Sequence, residues 1–182
     1  ALFMSTTISQ MRSVAMLDTS LNYIVNVINR SLIRNGNTSM FVTFFAGVLN
    51  LNTRRLRFCN AGHPYPIIIK PDGTVEMFKT ADNLPLGVSS DYEYEEQECY
   101  FASGSQLLLY SDGVTEAQNE DAKFYKIDRL FQFVEENKNL SSKELVEKII
   151  AHVDAYAGKA EQSDDLTVMS LRYEKQKGVR WL

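Results

Sequence analysis

QLLLYSDGVTEA, Gln106 to Ala117, is the stretch on which the reading of this chain turns. Leu107 to Tyr110 is a short apolar run bounded by turn-forming residues, the pattern of a buried strand. It ends on Asp112, and Gly113 follows at once, where the lack of a side chain lets backbone or water come close. A second acidic pair, Asp164-Asp165, directly precedes another apolar stretch, Leu166 to Arg172. If the two strands are antiparallel neighbours, Asp112 and Asp164 project at the same rim of a sheet. Converging carboxylates repel unless a cation sits between them or one is protonated, and oxygen donors favour Mg²⁺ or Mn²⁺ over zinc. The same residues also suit ordinary turns, Asp-Gly after a strand and Asp before one, so spacing alone leaves both readings open.

Outward from this stretch, the period of the apolar residues changes twice. Leu2, Phe3, Met4, Ile8, Met11 and Val14 suggest a first helix to about Ser13. Leu21, Ile24, Val25, Ile28 and Leu32 mark one face of a second, capped by Asp18, Thr19 or Ser20 and ended by Gly36. Met40–Leu49 and Arg54–Ala61 then read as strands, followed by Ile67–Ile69, Thr74–Phe78, Glu93–Phe101 and Gln106–Tyr110. Thr115 and Gln118 fit a capping box that starts a helical turn after Asp112. Ile127–Asn137 and a helix from the Ser141–Glu144 capping box to about Ala157 precede the last strand. Helices, a run of antiparallel strands, helices and a strand give an α+β class, with sheets packed against helices.

The 182 residues suit one compact domain, and 45% hydrophobic residues are enough for a core. A net charge of −4 with scattered cations argues against nucleic-acid binding. Cys59 and Cys99 show no metal-type spacing and read most simply as two reduced thiols of a cytoplasmic protein, with a single disulfide between them as the alternative. No apolar run reaches the roughly 18 residues of a membrane span. The chain opens ALFMSTT, without methionine and inside an apolar segment, so we expect a piece of a longer protein.

FVTFFAGVLN, LRFCNAGHPYPIII, NLPLGV, QLLLYSDGVTEA and SDDLTVMSLRY occur in the order and spacing of the SpoIIE/RsbU-type serine/threonine phosphatases, and the chain resembles that family from Ala1 to about Tyr173. These are bacterial members of the metal-dependent, type 2C-like phosphatases. The resemblance implies an α/β/β/α sandwich of antiparallel sheets covered by helices, one domain over 1–173 and a tail over 174–182. It implies Asp112 and Asp164 as metal ligands, Gly113 as the point of close approach and Asp165 as a loop brace. It also implies hydrolysis of phosphoserine or phosphothreonine by a metal-bound water, with two Mn²⁺ or Mg²⁺ ions in the complete domain and no catalytic side chain beyond that water. The expected substrate is a phosphorylated anti-sigma-factor antagonist, with a sensory or receiver domain ahead of the phosphatase. The helices from Leu2 and Leu21 are expected to relay its signal, and a homodimer is an open option.

The family's first acidic motif and its Asp-Val-x-Gly segment lie upstream of the helix that opens this chain. The 182 residues are therefore expected to hold half a site, to be metal-poor, binding one ion weakly or none, and to be inactive alone, one sheet being incomplete or completed by a neighbouring chain. The alternative is a catalytically dead module of the same fold that binds a regulatory phosphoprotein. In the Asn60-Ala61-Gly62-His63-Pro64 motif, His63 is either a proton donor to phosphate or a turn brace, the latter favoured, and Asn60 reads as a loop brace. Asn83–Val88 resembles the family's Pro-Leu-Gly loop. The acidic Asp91–Glu98 reads as a solvated face with a substrate-selecting alternative, and Arg54, Arg55 and Arg57 as an exposed hairpin face rather than a phosphate site. The tail Lys175–Leu182, with Trp181, lies outside the resemblance.

Overall fold

The structure is a computed structural model that describes residues 2–15, 20–35, 41–162 and 164–174. The elements are α1 (Leu2–Ala15), α2 (Leu21–Asn35), β1 (Phe44–Asn50), β2 (Arg55–Ala61), β3 (Ile67–Ile69), β4 (Val75–Met77), β5 (Gln97–Tyr100), β6 (Gln106–Tyr110), α3 (Asp112–Thr115), α4 (Ile127–Glu136), α5 (Ser142–Ala157) and β7 (Val168–Arg172). They form two compact units, Ala1–His63 with Thr80–Phe101, and Pro64–Lys79 with Ala102–Leu182. Every strand pair is antiparallel, so the α+β expectation holds.

The first unit carries a three-stranded sheet in the order β1-β2-β5. Its core is the apolar stripe of α2, with Leu21, Ile24, Val25, Ile28 and Leu32 all buried against Val42, Ala46, Cys59, Ala61, Leu86 and Tyr94. In α1 the stripe is not the one the spacing gives, because Ile8 is exposed and Thr7 is buried, while Met11 and Val14 pack on the core. The expected caps Asp18 and Thr19, and Gly36, lie outside the described residues. The orphan amides at the start of α2 are instead met from far along the chain, by the Glu96 carboxylate, which accepts from Leu21 N at 2.7 Å and Asn22 N at 3.3 Å. Part of the acidic stretch is therefore a helix cap, not a solvated face. Glu96 also pairs with Arg57 at 3.2 Å, and Arg55 pairs with Glu98 across β2 and β5, which accounts for two of the three hairpin arginines. Cys59 and Cys99 are both free, and burial pushes the Cys59 thiol up to about 12, so it is protonated and inert at neutral pH.

The second unit carries a four-stranded sheet in the order β4-β3-β6-β7. β6 is buried along its whole length, from Gln106 through the apolar run Leu107–Tyr110. Its neighbour β7 pairs with it from Gln106–Arg172 to Tyr110–Val168. Leu130, Val134, Leu145, Ile149 and Val153 from α4 and α5 pack with Ile67, Leu108 and Tyr110. The Ser141–Glu144 capping box forms as the sequence predicts. The Thr115–Gln118 box does not form. The turn begins earlier, with Ser111 in extended conformation as its N-cap and Asp112 as its first residue, and Thr115 ends it by donating its hydroxyl to the Asp112 carbonyl. Among the described residues no helix is long and apolar enough to cross a membrane.

Candidate functional site

The β6–β7 ladder runs past its last strand pair into the two acidic segments. Ser111 N donates to the Thr167 carbonyl at 3.0 Å. The Ser111 hydroxyl accepts from Thr167 N at 3.0 Å and donates to the Asp165 carbonyl at 3.1 Å. Ser111 thus ties the end of β6 to the segment entering β7, and sequence reading missed it. Its signal was a hydroxyl set between the buried strand and Asp-Gly.

Gly113 shows how closely the two segments meet. A Cβ built there would lie 2.5 Å from the Asp165 carbonyl oxygen, inside any tolerable contact. The glycine is needed for the approach of backbone, and what approaches is Asp165. The contact is made by the main-chain oxygen of Asp165, the residue expected from the resemblance to brace this loop.

Asp112 and Asp164 are both exposed at this rim. Each carboxylate is fixed by the amide of the next residue, Gly113 N to Asp112 Oδ1 at 3.0 Å and Asp165 N to Asp164 Oδ1 at 2.7 Å. The second oxygen of each carries no hydrogen bond to the described residues. Backbone-held carboxylates with a spare oxygen are a hard donor pair, suited to Mg²⁺ or Mn²⁺, which keep several waters and need only one or two carboxylates. Among the described residues, no group of three or more His, Cys, Asp and Glu side chains forms a ligand set. The donors therefore fit a hard divalent ion as part of its shell. A cavity of about 240 Å³ opens beside them, lined by Gly113 and Asp164 and by residues at the C-terminal end of α5.

The other motif residues gather in the first unit. Asn60 is buried, and its amide donates to the His63 carbonyl at 2.9 Å and the Thr80 hydroxyl at 2.8 Å, while its Oδ1 accepts from His63 N at 2.8 Å. Both residues so bonded close the turn, which supports the brace reading of Asn60 and of His63's main chain. Gly62 adopts a φ of +71°, and a Cβ on it would meet Pro85 at 2.5 Å. The Asn60–Pro64 and Asn83–Val88 motifs are thus one packed structure, joined again by Asn83 Nδ2 donating to the Asn60 carbonyl at 2.9 Å. α2 holds the same loop through Asn29, fully buried, which donates to the Ser89 carbonyl at 2.8 Å and accepts from Gly87 N at 2.8 Å.

The family model described as Stage II sporulation protein E (SpoIIE) matches residues 1–174. Phosphoserine phosphatase RsbU of Bacillus subtilis is 30% identical over 122 residues, 67% of this chain and 36% of RsbU. The chain spans 21% to 36% of the length of the curated relatives it matches. Among solved structures, the SiaA-PP2C domain of Pseudomonas aeruginosa superposes with a TM-score of 0.76 at 19% identity, over 96% of this chain and 69% of that one. The phosphatase domain of SpoIIE from Bacillus subtilis, presoaked with Mn, gives 0.65 at 17%, over 96% and 76%. At these identities the likeness shows the fold, that of the PP2C-type phosphatase domains.

Proposed function

The chain belongs to the stage II sporulation protein E (SpoIIE) family, and from that premise we propose that the protein containing it is a metal-dependent phosphatase acting on phosphoserine or phosphothreonine in a regulatory protein. The observation that carries this reading is the rim of β6 and β7, where the Ser111–Asp165 and Gly113–Asp165 contacts hold Asp112 and Asp164 with one carboxylate oxygen each that takes no hydrogen bond from the described residues.

When bound, a divalent ion at this rim would supply Lewis-acid polarisation of a phosphoryl oxygen and a water acidic enough to lose its proton near neutral pH. Asp112 and Asp164 supply the negative charge that holds it. The amides of Gly113 and Asp165 fix their orientation, and Ser111 sets the spacing of the two segments. Neither thiol is primed as a nucleophile, since burial raises both and keeps them protonated. Two carboxylates make a weak site, so the 182 residues alone are expected to turn over little and to bind Mn²⁺ poorly. The substrate we propose is a phosphorylated anti-sigma-factor antagonist, met in the cytoplasm under the control of a sensory or receiver domain of the same protein.

The test is Mn²⁺-dependent phosphate release from a phosphoserine protein by the full natural protein, beside Asp112→Asn. Turnover that disappears with the substitution supports the reading. With metal supplied, no turnover in either protein would leave a module that binds phosphoproteins without hydrolysing them.

A further inference from the structure

We propose that the cavity beside the aspartate rim receives a lysine or arginine side chain flanking the phosphorylated residue of the protein substrate, an inference that rests on the phosphatase reading above. Its volume of about 240 Å³ falls below the roughly 300–1,000 Å³ of pockets that enclose a whole small molecule, and suits one long side chain. Val153, Ala157 and Leu166 give it an apolar wall, on which the methylene stem of a lysine or arginine lies well. Asp154 and Glu161 give it carboxylates. Both are exposed, and neither enters an ion pair among the described residues.

The end of α5 adds to the same field. This 16-residue helix has no basic residue in its last turn, so its partial negative charge is uncompensated within the helix. Its cap residue Gly158 lines the cavity, whereas Lys159, the next residue, does not. An incoming cation meets two carboxylates and a helix C-terminus, while its stem covers apolar surface.

Position links the cavity to the chemistry. Gly113 and Asp164 line it, so it begins one residue from Asp112. An extended peptide advances ~3.3 Å per residue. A phosphoserine held at the rim therefore leaves a side chain one or two residues away within reach of the cavity. Asp164 belongs to the ion under the proposed function, so Asp154 and Glu161 carry the selectivity.

The experiment uses the full natural protein with Mn²⁺ and two phosphoserine peptides, one with arginine at the flanking positions and one with alanine. kcat/KM is measured for each, and binding of the corresponding non-hydrolysable phosphonate peptides is followed by fluorescence anisotropy. The arginine peptide should be favoured by about fivefold for each carboxylate it reaches, the scale of a partly exposed ion pair, and less at high salt. Asp154→Asn with Glu161→Gln should erase the preference while leaving turnover of p-nitrophenyl phosphate, which has no flanking side chain, unchanged. Glu161→Gln alone should halve the preference in logarithmic terms, which guards against a misfolded double variant. Full turnover with no arginine preference, or a preference that survives the double variant, overturns the cavity's role alone. Absence of all turnover beside a binding preference that the double variant erases overturns the phosphatase reading and keeps the cavity.

Discussion

Asn60 and Asp112 occupy matching places in the two units. Each is a polar residue at the end of a strand, and each is followed within two residues by a glycine that another segment presses against. At Gly62 the intruder is Pro85, and at Gly113 it is the Asp165 carbonyl. The difference lies in what the polar side chain has left to offer. Asn60 is buried, its oxygen and its amide nitrogen all engaged with His63 and Thr80. Asp112 is exposed and gives one oxygen to Gly113 N, leaving the other without a hydrogen bond among the described residues. The glycines report where two backbones must meet, and only the remaining bonding capacity of their neighbours separates a brace from a site.

The sharpest way to break this comparison is to remove the spare oxygen. Asp112→Asn keeps size and the Gly113 contact but removes the charge. In the full protein we expect activity to fall about a thousandfold, ~4 kcal/mol of lost charge stabilisation, with folding stability unchanged within ~0.5 kcal/mol because the residue is exposed. Urea unfolding beside the phosphatase assay reads both, and a large stability loss with modest activity loss would make Asp112 a brace like Asn60. The two glycines should behave alike in stability. Gly62→Ala meets Pro85 and a positive φ, and Gly113→Ala meets the Asp165 carbonyl, so each should cost about 2–4 kcal/mol in urea unfolding. They should part in Mn²⁺ affinity, which Gly113→Ala lowers by prying Asp112 and Asp164 apart and Gly62→Ala leaves alone.

The elements legible in the sequence were those set by local pattern. β6 spans Gln106–Tyr110 as read from the sequence and ends with its apolar run, and the Ser141–Glu144 box caps α5 where its spacing says. The antiparallel pairing that brings Asp112 to the Asp164-Asp165 segment was only a supposition at the level of sequence, since strand order leaves the neighbours open, and the β6–β7 ladder supplies it. Where local spacing misled, a nearer partner won. Ser111 in extended conformation started the turn that Thr115 and Gln118 promised to start later. Glu96 could not be read as the cap of α2, because the contact spans 75 residues and no local pattern announces it. Asn29 was readable in principle. It falls four residues after Val25 on the buried stripe of α2, and a polar residue at a core position demands partners.

Those last two residues give the smaller tests, and they ask whether the braced unit tolerates losing what the aspartate rim tolerates. Asn29→Ala empties a fully buried position and leaves the part-buried Gly87 amide and Ser89 carbonyl without their partner. We expect a loss of about 2–3 kcal/mol by urea unfolding, the scale of buried groups left unpaired. Glu96→Gln is milder. The amide oxygen still accepts from Leu21 N, but the charge that suits a helix N-terminus and the pairing with Arg57 are gone. A loss of about 1 kcal/mol is expected, most of it at low salt, since both lost terms are electrostatic and partly exposed. If Glu96→Gln cost as much as Asn29→Ala, charge rather than buried hydrogen bonding would hold α2 to its sheet. The contrast between a unit braced by neutral amides and one armed with carboxylates would then have to be redrawn.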